Sequence, residues 1–285
     1  GDQSRKTMVE ALNSVDFGDK VVVIRPNNIR SKFFLGDMQA IMLGVPDRFH
    51  GIILPKTNEP EDIIFLSRLL DDLERQGGWK TRVQIEALVE TPLAIVNAYR
   101  IATASDRMVG LIFGIADFAA AVAVREIVDD QNKNFHYAKQ AVVVSAKAAG
   151  LHAIDNAYLR LIRKDTSPAE AKQIEEGLRR KNMEAASLGM DGTWVIHPHQ
   201  AEIANECYTP NDEEIERAKL TLEVYHRMGG GAIIVPETGE FHDEATIKGV
   251  LMTLAKAVQA GSLPAEFLRE QAEKSKSVTG YDILK

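Results

Sequence analysis

The sequence lacks the marks of several protein classes. Its single cysteine, Cys207, excludes an internal disulfide and fits a reducing compartment. Positive charge is in deficit: 34 Lys and Arg against 41 Asp and Glu leave a net charge of −7. A nucleic-acid binder needs a cationic surface to displace counterions, so that class is set aside. Apolar runs are short, Ala141–Val144 and Val109–Ile115 among the longest, far below a bilayer span. No basic segment followed by an apolar stretch opens the chain, and no secretory signal is read. A soluble, cytoplasmic protein is expected. No G-x-G-x-x-G follows a strand and no G-x-x-x-x-G-K-[ST] occurs, which removes the main support for a dinucleotide or P-loop fold. Internal repeats and low-complexity tracts are also missing.

What is present is ordinary globular material: 285 residues, 45% hydrophobic and 26% charged, a length suited to one large domain or one domain with an appendage. Short apolar runs alternate with amphipathic stretches. Strands are predicted at Lys20–Arg25, Gly51–Pro55, Arg82–Val89, Val109–Gly114, Leu151–Asp155 and Thr193–His197. Helices are predicted near 3–14, 37–43, 60–76, 92–104, 118–129, 136–149 and 167–188. Strands that are nearly continuous in apolarity suit a parallel sheet covered by helices, hence an α/β fold. Between a doubly wound sheet and a TIM (β/α)8-type barrel the barrel is preferred, yet only six strands are found and the chain opens in a helix. Either two strands hide in apparent loops or the first two β/α units are missing from this chain.

The last part of the chain reads differently, so a barrel domain over 1–208 and a C-terminal lid over 209–285 are expected. The lid is predicted as a helix at Pro210–Met228, a hairpin around Glu237–Gly239, a helix over Asp243–Gln259 and a polar tail. Within the charged stretch 160–180 a Ser167–Glu170 capping box marks a real helix extension.

In a barrel, chemistry sits at the C-terminal ends of strands. Three ends carry charge where packing would be apolar: Arg25 ends VVVIR, Glu90 ends VQIEALVE, and Asp117 follows IFGIA. Alternation in the third strand sends Val83, Ile85, Ala87 and Val89 toward the helices and Glu86 and Glu90 toward the lumen. Arg25 could equally be an ion-pair partner, Asp117 a helix cap and Glu90 a satisfied buried carboxylate. Taken together, two carboxylates at adjacent strand ends form a hard oxygen site suited to Mg²⁺, with Mn²⁺ as a substitute. Lys56 reads as a solvated loop lysine, Cys207 as unreactive, Trp194 as core within a strand, and His197 with His199 as a weak metal motif.

The ordered series IRPN (24–27), ILPK (53–56), VETPLAIVNAYRIA (89–102), IFGIADFA (112–119) and MDGTWVIHPHQAEIAN (190–205) resembles the citrate lyase β-subunit-like (HpcH/HpaI aldolase/citrate lyase) family. AKAAGLHAIDNAY (146–158) and GEFHDEATIKG (239–249) resemble its later elements. That family also contains malyl-CoA, β-methylmalyl-CoA and citramalyl-CoA lyases. The resemblance implies a TIM barrel with a C-terminal lid, usually a homotrimer or hexamer. It implies that Glu90 and Asp117 bind the metal and that Arg25 is the active-site arginine. It also implies that Asp243 is a catalytic aspartate supplied to a neighbouring subunit, and that His197 and Pro198 help shape the coenzyme A pocket. The activity implied is Mg²⁺-dependent, reversible cleavage of a malyl-CoA-like 3-hydroxyacyl-CoA to an acyl-CoA and an α-keto acid such as glyoxylate. The alternatives are a citrate lyase β-like subunit acting on an acyl-carrier thioester, a pyruvate-type metal aldolase, and a non-catalytic binding protein. The family's first two strands, the second with an acidic end, have no counterpart before Lys20, and the segment 160–180 is longer and more charged than usual.

Overall fold

Runs such as Gly51–Leu54 (GIIL), buried at all four positions, are too apolar for a sheet with one wet face. In the computed structural model, which describes residues 1–125, 127 and 135–280, they form the centre of a parallel sheet. Its strands are β1 (Val23–Ile24), β2 (Gly51–Leu54), β3 (Gln84–Val89), β4 (Met108–Phe113), β5 (His152–Asp155) and β6 (Gly192–Thr193), in that spatial order. All five pairings are parallel, and the sheet curls as a half barrel.

The covering helices are α1 (Asp2–Ser14), α2 (Phe34–Gly44), α3 (Pro60–Gly77), α4 (Pro92–Val96), α5 (Ala98–Ala102), α6 (Ile115–Ala121), α7 (His136–Ala148) and α8 (Pro168–Ser187). On the helix-facing side, Ile52, Leu54, Ile85, Ala87, Val89, Leu111 and Phe113 are all buried. On the opposite face Ile53, Leu88 and Ile112 form an apolar cluster joined by Ile154 and Trp194. The predicted alternation of β3 therefore holds, with Glu86 and Glu90 on the face shared with Leu88.

Several boundaries differ from the sequence reading. The first strand shrinks because the Val22 N–H donates to His50 Nδ1 (2.9 Å) rather than to a strand carbonyl. The predicted strand Thr193–His197 stops at Thr193, since the Ile196 N–H donates to the Gln200 side chain (3.0 Å). Trp194 therefore follows a strand rather than lying inside one. The helix predicted over 92–104 divides at Asn97, whose side-chain amide donates to Asn58 O (3.0 Å). The helix predicted over 118–129 begins earlier and ends at Ala121, with Ala123 in the left-handed region; residues 126, 128 and 129 lie outside the described residues. Of the capping box at α8 only one half forms: Ser167 Oγ accepts the Glu170 N–H (3.3 Å), while Glu170 faces Arg160 at 3.8 Å.

Two compact units divide the chain, Gly1–Ala204 and Asn205–Lys285, and α9 (Pro198–Tyr208) carries it from one to the next. The second unit comprises α10 (Asp212–Arg227), the antiparallel pair β7 (Ile233–Ile234) and β8 (Phe241–His242), α11 (Glu244–Gln259) and α12 (Ala265–Thr279). Its core joins Leu222, Tyr225, Val235, Ile247, Leu251 and Leu254. The stretch read as a polar tail is the helix α12: Phe267, Leu268 and Val278 give it an apolar stripe that packs on this core, and Gly280 in the left-handed region ends it. No helix among the described residues is long and apolar enough to cross a membrane.

Candidate functional site

The C-terminal ends of β2, β3 and β4 converge on one cluster. Glu90 directly follows β3 and is buried at 5% exposure, although it carries a carboxyl group. It is held there by the turn after β2: Lys56 takes a left-handed backbone conformation (φ 53°) and its N–H donates to Glu90 Oε1 at 2.7 Å. The next residue, Thr91, caps α4, its Oγ1 accepting the Ala94 N–H (3.1 Å) and donating to Asn58 Oδ1 (2.5 Å). Those bonds tie the start of α4 to the same turn. Pro92 supplies the preset φ of the first helical position.

Gly114 explains why a carboxylate fits here at all. A Cβ at that position would stand 2.5 Å from Glu90 Cβ and 2.8 Å from Oε2. The absent side chain is thus the space that Glu90 occupies.

Asp117, in the first turn of α6, completes the cluster. Lys56 Nζ donates to Asp117 Oδ1 at 2.9 Å, so one lysine serves Glu90 with its backbone and Asp117 with its ammonium. Burial pushes the Glu90 carboxyl up to about 7; the Lys56 N–H opposes that rise and neighbouring Asp117 adds to it. The Lys56 ammonium is raised by its bond to Asp117. Two carboxylates side by side, one buried and reluctant to ionise, form a place where added positive charge stabilises both. That donor set fits a hard divalent cation. Among the described residues no third His, Cys, Asp or Glu joins them, so such an ion would complete its shell with water and ligand oxygens, as Mg²⁺ commonly does.

Arg25 follows β1 at the same end of the sheet and is exposed, with Cζ 5.5 Å from the ring centroid of Trp194. The two histidines do not form a metal site. His197 Nδ1 accepts the His199 N–H (3.3 Å), whereas His199 Nε2 pairs with Glu175 Oε1 (2.9 Å). His197 and His199 line a small apolar crevice with Arg160, Ile174, Leu178 and Ile203, and Pro198 starts α9. In the second unit Asp243 caps α11 in a reciprocal box: Oδ1 accepts the Thr246 N–H (3.1 Å), and Thr246 Oγ1 accepts the Asp243 N–H (2.9 Å).

Sequence reasoning missed two features. Lys56, read as a solvated loop residue, is the link between the carboxylates. Behind the sheet, Asp155 is fully buried between Lys139 of α7 and Lys181 of α8, at 2.7 and 2.8 Å. Burial alone would raise the Asp155 carboxyl, but the two ammonium groups hold it below the usual range; burial lowers Lys139. Lys181 also donates to Thr193 Oγ1 (2.6 Å) and Asn156 O, which clamps the ends of β5 and β6 together. The signal lay in the helix stripes: Lys139 sits between the buried positions 138 and 142, and Lys181 follows 174, 177 and 178.

Known proteins resemble this chain in sequence and in fold. Over 276 residues the chain is 27% identical to the L-malyl-CoA/beta-methylmalyl-CoA lyase of Rhodobacter capsulatus, covering 90% of this chain and 83% of that protein. It is 30% identical to the citrate lyase subunit beta of Leuconostoc mesenteroides subsp. cremoris, covering 81% of this chain and 73% of that one. The fold matches that of protein CitE from Mycobacterium tuberculosis in complex with magnesium, acetoacetate and coenzyme A. That likeness has a TM-score of 0.69 at 23% identity, over 90% of this chain and 85% of that one. The sequence profile of the HpcH/HpaI aldolase/citrate lyase family matches residues 1–198, more than half of the 285, and the chain belongs to that family.

Proposed function

We propose that this chain is a carbon–carbon lyase that reversibly cleaves a malyl-CoA-like 3-hydroxyacyl thioester of coenzyme A into an acyl-CoA and an α-keto acid such as glyoxylate. The observation that carries this reading is the convergence of Glu90 and Asp117 at adjacent strand ends, one buried and held near neutrality, the other bridged by Lys56. The lyase names of the relatives and the magnesium and coenzyme A bound by the structural neighbour point the same way.

In this reading Glu90 and Asp117 hold a divalent cation, Mg²⁺ or Mn²⁺, which when bound polarises the keto acid carbonyl. Asp243 takes the proton of the 3-hydroxyl as the bond between C2 and C3 of the acyl chain breaks. The electron pair passes to the thioester as an enolate, and C2 then takes the proton held by Asp243, which gives the acyl-CoA and returns Asp243 to its carboxylate form. Arg25 supplies positive charge where the enolate oxygen develops. Asp243 Oδ1 is engaged in capping, and among the described residues Oδ2 accepts no hydrogen bond, so capping and proton transfer are compatible. Residues 209–285 act as the lid, contributed to a neighbouring subunit of a homotrimer or hexamer, and a lid excludes water that would quench the enolate. His197 and Pro198 border the coenzyme.

The test is direct. The purified protein is offered malyl-CoA, β-methylmalyl-CoA and citramalyl-CoA with Mg²⁺, and release of acyl-CoA and keto acid is followed. Folded protein that cleaves none of these refutes the reading. The 30% identity to a citrate lyase beta subunit favours an acyl-carrier thioester as the second choice. Cleavage of carrier-bound but not coenzyme-bound substrate would select it.

A further inference from the structure

The lumen contains an aromatic residue that the reading above leaves without a task. Trp194 packs its indole on the cluster of Ile53, Leu88 and Ile112, alongside Ile154. Its backbone is fixed as well, for the Trp194 N–H donates to Asp155 O at 2.9 Å. Asp155 is in turn clamped by Lys139 and Lys181. A large flat ring is thus held rigidly beneath the mouth of the half barrel, and on its face lies the guanidinium of Arg25, 5.5 Å from the ring centroid. Among the described residues that guanidinium makes no hydrogen bond and no ion pair.

This combination has a specific consequence. An arginine oriented by a carboxylate spends its N–H donors on that partner and loses net positive charge. One oriented by the negative face of an indole spends neither, because the attraction comes from the ring quadrupole and leaves the planar fork of donors open. We infer that Trp194 is a positioning residue: it presents the Arg25 guanidinium at the site with its donors uncommitted, as a receptor for a planar anionic oxygen group of the substrate, a carboxylate or the enolised thioester. The inference rests on the lyase reading for the identity of that group. The Trp194–Arg25 contact itself does not depend on it.

The chain has two tryptophans, Trp79 and Trp194, so fluorotryptophan-labelled protein gives two ¹⁹F resonances, and Trp194→Phe assigns them by loss of one. Arg25→Ala should shift the Trp194 resonance and leave that of Trp79, whose ring packs on Phe49, unchanged. Oxaloacetate titrated with Mg²⁺ should move the Trp194 resonance in the parent protein and not in Arg25→Ala. A Trp194 resonance indifferent to both changes overturns the inference, whether or not the protein proves to be a lyase. If the resonance responds while no CoA thioester is cleaved, the positioning stands and the lyase reading fails.

With turnover in hand, Trp194→Leu should lower kcat/KM about 5- to 10-fold, the range for a half-buried cation–π contact. Trp194→Phe should recover most of that loss. In an Arg25→Ala background Trp194→Leu should cost nothing further. An equal loss in both backgrounds would show that the indole acts only as packing.

Discussion

Replacing Gly114 with alanine adds one methyl group at the point where β4 meets the Glu90 side chain. The backbone there has φ −105° and ψ 96°, open to any residue, so strain in the main chain plays no part. The effect is purely steric. The new Cβ would stand 2.5 Å from Glu90 Cβ, 2.8 Å from its Oε2 and 3.4 Å from Leu88 Cδ1. Carbon atoms in contact prefer about 3.5–4.0 Å, so an overlap of about 1 Å must be relieved by moving Glu90 or the strand that carries it. Overpacking of this kind costs about 1–3 kcal/mol.

The same change at Gly249 forms a control of opposite sign. That glycine lies within α11, and a Cβ there meets nothing within 4 Å. Gly249→Ala should therefore stabilise its helix by up to about 1 kcal/mol. Urea unfolding reads both variants, and calorimetric titration with Mg²⁺ reads the site. Gly114→Ala is expected to unfold at lower urea and, if the proposed site holds, to bind Mg²⁺ several-fold more weakly, because the displaced residue is Glu90. Gly249→Ala is expected to unfold no earlier and to bind as the parent does. If Gly114→Ala matches the parent in both measurements, Glu90 does not occupy the space beside Gly114 and the account of the site is wrong.

How far the sequence reveals this site depends on how local each determinant is. Glu90 and Asp117 were legible because a charged residue interrupts an apolar strand pattern within a few positions, and the period-2 alternation of β3 assigns Glu90 a face. The six sheet strands were legible for the same reason, as short and nearly continuous apolar runs. Most of the failures are non-local; α12 is an exception, because its stripe of Phe267, Leu268 and Val278 lies within the local sequence. The end of β1 is set by His50, a side chain 28 positions away that accepts the Val22 N–H, whereas the end of β6 is set locally, by Gln200 accepting the Ile196 N–H four positions before it. Lys56 looked solvated because its side chain is about half exposed and its significance lies in Asp117, 61 positions away. Lys139 and Lys181 broke the apolar stripes of their helices, and only the buried Asp155 opposite gives that break a meaning. A polar residue in a stripe is thus half of an observation. Its partner on a strand end is the other half, and the sequence does not pair them.

The remaining predictions address the charges themselves. Glu90 is protonated below about 7 and ionised above it, so Mg²⁺ affinity should weaken as pH falls through that value. Titrations near neutral pH in buffers of different ionisation enthalpy should show proton release on binding, lost in Glu90→Gln; release that persists would place the titrating group elsewhere. Asp155→Asn should destabilise by about 3–5 kcal/mol, because two buried ammonium groups lose their counter-charge, and replacing Lys139 with methionine as well should recover part of it. Asp155 is held below the ordinary carboxylate range, so its contribution is complete above that range and lost as pH falls through the depressed value. The variant's stability should accordingly show less of this acid dependence than the parent's in urea titrations below pH 4. Asp243 provides the sharpest separation of roles, because asparagine caps a helix as well as aspartate does but cannot take a proton. Asp243→Asn should therefore keep the α11 cap, the melting temperature and Mg²⁺ affinity while kcat falls on the order of 10² to 10⁴. If the lid serves a neighbour, mixing this variant with Glu90→Gln should regenerate complete sites and measurable turnover. Unchanged kcat in Asp243→Asn would leave the residue as a cap alone, and inactive mixed oligomers would confine each site to one chain.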